Sequence, residues 1–373
     1  MRLLPIAAVA SALCGCRLLE SREPGARIAW TVRLPETEAG WIGFPAASNG
    51  LFLVQTGAAV RAFDARTGRT AWRTQLRQGR PIGAENISVA GGRAFVAGAD
   101  SVYALVAATG KRLWAFQPDA QAALCLIAAD AEAVYVGTRS HRVYALAANS
   151  GEVLWWTDVG PAWEFLGIVN GITASGDTIY VNALQYLNQG GSLRAGHVIA
   201  LDRDTGAELW RFTGPDDHND ATHASLVAGR LLLVSSVHAT EHEPGRFYAL
   251  DRFTGREVWR VNTAGLGPSE APALRGNTAY VGAGDTYVYA ADLASGALRW
   301  SQRTDGSVAA VALCRGTLVI NNSELRVLDP ETGRILQRLL GGEGQDFPTS
   351  AFAVSGNRAF VVGFRGAYGI ECD

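Results

Sequence analysis

Residues 200–210 read ALDRDTGAELW and residues 249–259 read ALDRFTGREVW. The pattern recurs as AFDARTGRTAW ending at Trp72, ALVAATGKRLW at Trp114, ALAANSGEVLW at Trp155 and AADLASGALRW at Trp300. A worn copy, VLDPETGRILQ, ends at Gln337. Every copy carries a glycine four residues before its end: Gly68, Gly110, Gly151, Gly206, Gly255, Gly296 and Gly333, at steps of 42, 41, 55, 49, 41 and 37. A period near 40 residues, with several short strand signals per unit, predicts the blades of a β-propeller.

One unit shows why. In residues 269–304, SEAPALRGNTAYVGAGDTYVYAADLASGALRWSQRT, apolar residues alternate with small or polar ones in runs of strand length. The stretches RGN, GAGDT and ASG are turn chemistry, where glycine takes a positive φ that other residues resist. Each unit therefore yields strands A to D, with the Asp/Asn-x-x-Thr/Ser-Gly stretch as the C–D turn and the tryptophan opening the outer strand. A lone four-stranded blade cannot bury both faces, so each copy needs its neighbours. Trp30, Trp72, Trp114, Trp155, Trp210, Trp259 and Trp300 are accordingly expected to pack blade against blade.

Seven C–D turns define blades 1 to 7. Beyond them the chain supplies three more strands (residues 347–373), and RIAWTVRL (27–34), with its own Trp30, reads as an unattached outer strand. The N-terminal strand then completes the last blade and closes an all-β, eight-bladed ring of four-stranded antiparallel blades over residues 27–373. Closure removes the free sheet edges that invite aggregation.

Charged residues make up 18% of the chain and the net charge is −2, so no basic field points to nucleic acid. At the N-terminus, MRLLPIAAVASALCGCRLLES has a basic residue followed by an apolar run too short to span a membrane. Its Leu13-Cys14-Gly15-Cys16 resembles the lipobox of bacterial lipoproteins. That resemblance implies a signal peptide over residues 1–15, lipidation of Cys16, and a tether over residues 16–26. With Arg17 after the cysteine, it implies anchorage at the outer membrane, facing the periplasm. Three further cysteines remain. Buried free thiols are the preferred reading for Cys125, Cys314 and Cys372, although Cys314 and Cys372 fall near turns on one face of adjacent blades, where a disulfide is conceivable.

The repeats resemble those of the PQQ-like propeller family. One branch comprises quinoprotein alcohol and glucose dehydrogenases, which are much longer. The other is the BamB lipoprotein of the outer-membrane β-barrel assembly machinery, an eight-bladed propeller of about this length that binds no quinone. Length, lipobox and blade count favour the second branch. The resemblance implies a non-catalytic, protein-binding scaffold with barrel-assembly partners and no cofactor. The quinone branch stacks its cofactor on a disulfide between adjacent cysteines, and this sequence has no Cys-Cys pair. No spacing supports Glu164, Asn170, Asp305 or Asp346 as calcium ligands or base. The Leu-x-Leu-Arg-type contact of the assembly factors is missing before GPSEAP (267–272), and SLR at residues 192–194 lies in another loop. That contact is therefore not carried over.

Loop length supplies a separate expectation. Turns between A and B and between C and D are uniformly short. The longer segments 158–167, 183–197, 214–223 and 237–246 all emerge on the opposite face, over blades 4 and 5. They offer Trp163, Phe165, Tyr186, His218, His223, His238 and His242 as a candidate binding rim. The rim makes a small-molecule, glycan or metal ligand the alternative reading. The four histidines, with acidic neighbours, form a candidate divalent-metal set.

Overall fold

The computed structural model describes residues 25–35, 43–56, 58–76, 87–98, 100–118, 124–160, 168–186, 193–214, 220–238, 244–268, 270–322, 324–340, 351–363 and 366–373. These residues form eight four-stranded antiparallel sheets. Seven are built from consecutive strands. In the eighth, the order is Ala26–Arg33, Gly366–Cys372, Arg358–Val362, Ala353–Ser355, so the N-terminal strand closes the last blade.

Burial is layered. Second and third strands are almost wholly buried, as in Leu51–Thr56 and Arg246–Asp251, whereas outer strands such as Val153–Asp158 alternate between exposed and half-buried. The apolar core is eight clusters, each shared between two adjacent blades. Phe95 and Ala97 of blade 2, for example, pack with Val134, Val136 and Tyr144 of blade 3. No blade has a core of its own.

The repeated residues meet at the joints. The C–D turn glycine takes a positive φ, from 70° at Gly68 to 78° at Gly151. It also has no room for a side chain: a Cβ on Gly151 would stand 2.7 Å from the Trp114 ring, and each equivalent glycine meets the preceding blade's tryptophan at least as closely. The indole then donates Nε1–H to a carbonyl of that same turn. Trp30 reaches Ala65 at 3.0 Å, Trp155 reaches Arg203 at 2.8 Å and Trp300 reaches Pro330 at 3.0 Å, with Trp72, Trp114, Trp210 and Trp259 alike. Glycine, tryptophan and turn carbonyl are therefore one device, which the sequence repeats because each blade clamps the next.

Within the turn, the leading aspartate caps the backbone. Asp202 Oδ1 accepts from Asp204 N, Thr205 N and Thr205 Oγ1, and Asp64, Asp251 and Asp292 do the same. Blades 2 and 3, with Val106 and Ala147 in that place, lack this carboxylate cap and keep the backbone bonds from Gly110 to Val106 and from Gly151 to Ala147.

The outer strands differ from the sequence expectation in one respect. The tryptophan of blades 1 to 6 is the third residue of its strand, not the first, because a one-residue irregularity in pairing precedes it. The step rotates the indole onto the neighbouring turn and leaves Leu113, Leu154, Leu209 and Val258 exposed. Bulges of this kind also disrupt the open edge of a sheet.

The thiols need a correction. Cys314 and Cys372 form a disulfide between blades 7 and 8, with Cα atoms 5.9 Å apart, within the range that a bridge requires. The turn ends of the two strands converge there, which sequence separation alone does not reveal.

Candidate functional site

Antiparallel topology places A–B and C–D turns on one face and B–C loops and D–A links on the other. On this second, mouth face, blades 4 and 5 differ from the rest. Their first strands, Ile168–Ser175 and Asp220–Ala228, have 8 and 9 residues, and the second strands, Thr178–Tyr186 and Leu231–His238, have 9 and 8. The third strand of blade 4, Leu193–Asp202, has 10. The first three strands of the other ring-forming blades have 3 to 7. At about 3.3 Å per residue, the surplus raises a wall of about 10 Å over the mouth.

Two of the segments read as long loops therefore correct to strands. Residues 183–186 and 193–197 extend the blade 4 hairpin, with Gln185 paired to Ala195 and Tyr186 to Leu193. Residues 220–223 begin the inner strand of blade 5, and Asp220 pairs with His238. The wall is braced across the blade joint. Asn182 Nδ2 donates to Ser225 Oγ at 2.9 Å and to the His223 carbonyl at 3.2 Å, and Thr222 Oγ1 donates to the His197 carbonyl at 3.0 Å. Gly171 permits the approach, since any Cβ there would run into the His223 carbonyl.

Of the expected rim, Trp163, Phe165, His218 and His242 lie outside the described residues, and for Tyr186 and His238 only the strand position is described. His223 lies in an inner strand rather than a link. Its ring is largely enclosed, and burial pulls its pKa from 6.5 down to about 4, so it is neutral at pH 7. Among the described residues, no three His, Cys, Asp or Glu side chains converge as a metal would require.

Next to the wall, the link 263–272, which contains GPSEAP, is tied down on both sides. Thr263 Oγ1 donates to the Gly245 and Gly265 carbonyls at 3.0 and 2.7 Å. Ala264 N donates to Asp285 Oδ2 at 2.7 Å, and Tyr289 OH donates to the same oxygen at 2.5 Å. Ser235 Oγ of blade 5 donates to the Glu270 carbonyl at 2.6 Å. The Glu270 side chain is recessed in this setting, and burial pushes its carboxyl up to about 8. The second strands turn polar as they reach the mouth: Gln55, Thr138, Asn182, Ser235, Ser236 and Asn321 are all buried, as is Asn322 just beyond the last of them.

Sequence reasoning missed Trp156. Blade 3 reads VLWWTD, and strand alternation turns Trp156 outward once Trp155 is turned into the joint. Trp156 is 52% exposed, and the Arg142 guanidinium lies 4.6 Å above its ring and bonds Asp158. The doubled tryptophan was the available signal.

Comparison with known proteins joins these observations. The family model for the outer membrane protein assembly factor BamB matches residues 21–155, 99–236 and 243–367. BamB from Moraxella catarrhalis superposes with a TM-score of 0.71 at 15% identity, over 93% of this chain and all of that one. The quinohemoprotein alcohol dehydrogenase of Comamonas testosteroni gives 0.67 at 15%, over 93% of this chain and 76% of that one. In sequence, the dehydrogenase subunit of a Komagataeibacter europaeus quinone alcohol dehydrogenase is 31% identical over 135 residues, 33% of this chain and 18% of that protein. The chain thus spans under a fifth of that relative, and the two solved structures show the shared fold. The family match covers most of the chain, which belongs to the family of the outer membrane protein assembly factor BamB.

Proposed function

We propose that this protein is a lipid-anchored scaffold that docks a protein partner of outer-membrane barrel assembly on its mouth face, and that it carries out no reaction of its own. The observation that carries the reading is the braced wall of blades 4 and 5. The strands lengthen at one end of two blades while the clamps at the other end stay unchanged. Structured elevations on a rigid scaffold are where binding surfaces are built. Family membership supports the class of partner, and the lipobox-like Leu13-Cys14-Gly15-Cys16 supports anchorage at the outer membrane.

The quinone reading gains no support from the residues present. The chain has no adjacent cysteines. Asp305, one of the acids considered for that role, is 80% exposed and bonds Arg326 at 2.5 Å. Asn170 sits in the inner strand Ile168–Ser175, and Glu164 and Asp346 lie outside the described residues.

The test is affinity purification of the full-length protein from its own membranes with mass spectrometry, beside a variant in which residues 185–195 are replaced by a two-residue turn. Barrel-assembly subunits should accompany the parent and be lost from the variant. Equal recovery from both would move the docking surface off the wall. Recovery from neither would remove the assembly reading. Cys16→Ser should shift the protein from the membrane to the soluble periplasmic fraction.

A further inference from the structure

We propose that the Cys314–Cys372 disulfide is a covalent clasp that replaces the one tryptophan joint the ring cannot make, so that oxidation as well as strand pairing completes the propeller. Seven joints share one device, an indole lying on the glycine of the next blade's C–D turn and bonded to its carbonyl. The joint from blade 7 to blade 8 cannot use it. The third and fourth strands of blade 8 come from opposite ends of the described chain, so no C–D turn, glycine or turn carbonyl stands there to receive an indole. The residue in the tryptophan position is Gln337, whose Oε1 accepts a long bond of 3.4 Å from Ala26 N.

The two cysteines occupy this joint. Cys314 ends the inner strand of blade 7, and Cys372 ends the third strand of blade 8, both on the turn face. Both are fully buried in the cluster shared by the two blades, with Val319, Val327, Val361 and Ile370. Besides that cluster, the ties across this joint are the Ala26 N to Gln337 Oε1 bond and a bond of 3.4 Å from Thr317 Oγ1 to the Gly25 carbonyl, while within blade 8 the N-terminal strand is held by its ladder, by the Asp373 N to Gly25 O bond at 2.9 Å and by Glu371 with Arg27 and Arg358. Polar bonds of 3.4 Å hold a joint weakly. The disulfide, spanning 58 residues, is the strong tie.

Forming it removes two protons and two electrons from the two thiols. An external disulfide accepts the electrons by thiol–disulfide exchange: a thiolate attacks it, a mixed disulfide forms, and the second cysteine resolves that intermediate while the acceptor leaves as two thiols. The reaction class that must act on this chain is therefore dithiol oxidation in an oxidising compartment. Reduction loosens this joint and leaves the other seven clamped.

The test uses the full-length protein, first by thiol counting under denaturing conditions and then by hydrogen–deuterium exchange with and without a phosphine reductant. The clasp requires Cys314 and Cys372 to be protected from alkylation until reduced. On reduction, peptides covering residues 26–33, 310–321 and 358–372 should exchange faster, on the order of tenfold, while peptides covering 153–158 and 208–213 stay unchanged. Cys314→Ala/Cys372→Ala should match the reduced protein and lose its response to reductant; if it does not fold, reduction of the folded parent decides. Free thiols at both positions in protein from an oxidising compartment, no change at the seam, or equal acceleration around the ring would each overturn the proposal.

Discussion

The two faces of this disc obey different rules. On the turn face, blades 1 to 7 repeat one solution: an aspartate or its stand-in, a positive-φ glycine, and an indole from the blade before. On the mouth face, blades 4 and 5 rise above the others. The contrast teaches where variation is tolerated. A clamp that serves two blades at once resists change, because altering either partner spoils both. Strand ends beyond the last shared contact can lengthen without disturbing the ring.

The sharpest way to break this comparison is at a clamp. Trp155→Ala empties the joint between blades 3 and 4 and should cost about 3–5 kcal/mol, read as a denaturant midpoint. Gly206→Ala attacks the same joint from the other side. Its φ of 72° is strained for alanine, by about 1–3 kcal/mol, and its Cβ would press into the Trp155 ring. Excision of residues 185–195 should shift the midpoint far less than either. If it destabilises as much as Trp155→Ala, the mouth is part of the clamp system and the distinction fails.

Acidity should separate the faces next. His223 is held near 4, below its ordinary 6.5, so the stability it contributes is complete above pH 6.5 and is lost as pH falls through 4. Glu270 runs the other way. Raised from 4.5 to about 8, it contributes fully below pH 4.5 and loses that contribution as pH rises through 8. On the turn face, the Arg299 guanidinium and Ser295 hold the Asp292 carboxyl at about 2, so its contribution persists until pH falls below the ordinary carboxylate range. His223→Gln should flatten the acid limb of midpoint against pH, and Glu270→Gln the alkaline limb. Asp292→Asn should leave the curve between pH 5 and 8 unaltered in shape. A changed shape there would place the pH response on the wrong face. The smallest effect belongs to Leu154→Ser at an exposed bulge, expected within about 0.5 kcal/mol in the same melt.

The legible part of the sequence follows the same division. The clamps could be read because glycine at positive φ and tryptophan over a flat backbone recur from blade to blade, with an aspartate cap in most copies and Val106 or Ala147 in its place in blades 2 and 3. Trp30 in RIAWTVRL announced the closing strand for that reason. The mouth was less legible. Residues 183–186 and 193–197 lengthen a hairpin, yet their Gln, Arg and Gly content reads as loop, because strand pairing there depends on the neighbouring strand more than on propensity. His223 was placed in a link because the inner strand of blade 5 starts earlier than the repeat suggests. Cys314 and Cys372 read as free thiols because a 58-residue separation says nothing of a 5.9 Å approach.

The seam has a further meaning for how such a ring can be cut. Asp373 N and Gly25 O are already 2.9 Å apart, at the place where every other blade has a C–D turn. A short Asp-x-x-Thr-Gly linker from the third strand of blade 8 to the strand Ala26–Arg33 would supply the absent eighth turn, and Gln337→Trp would then have a glycine to lie on. The chain could be opened instead at any of the other seven turns. The position of the break is thus a choice of starting point on a circle, and a circular permutant closed at this seam is the ring in its fully repeated form.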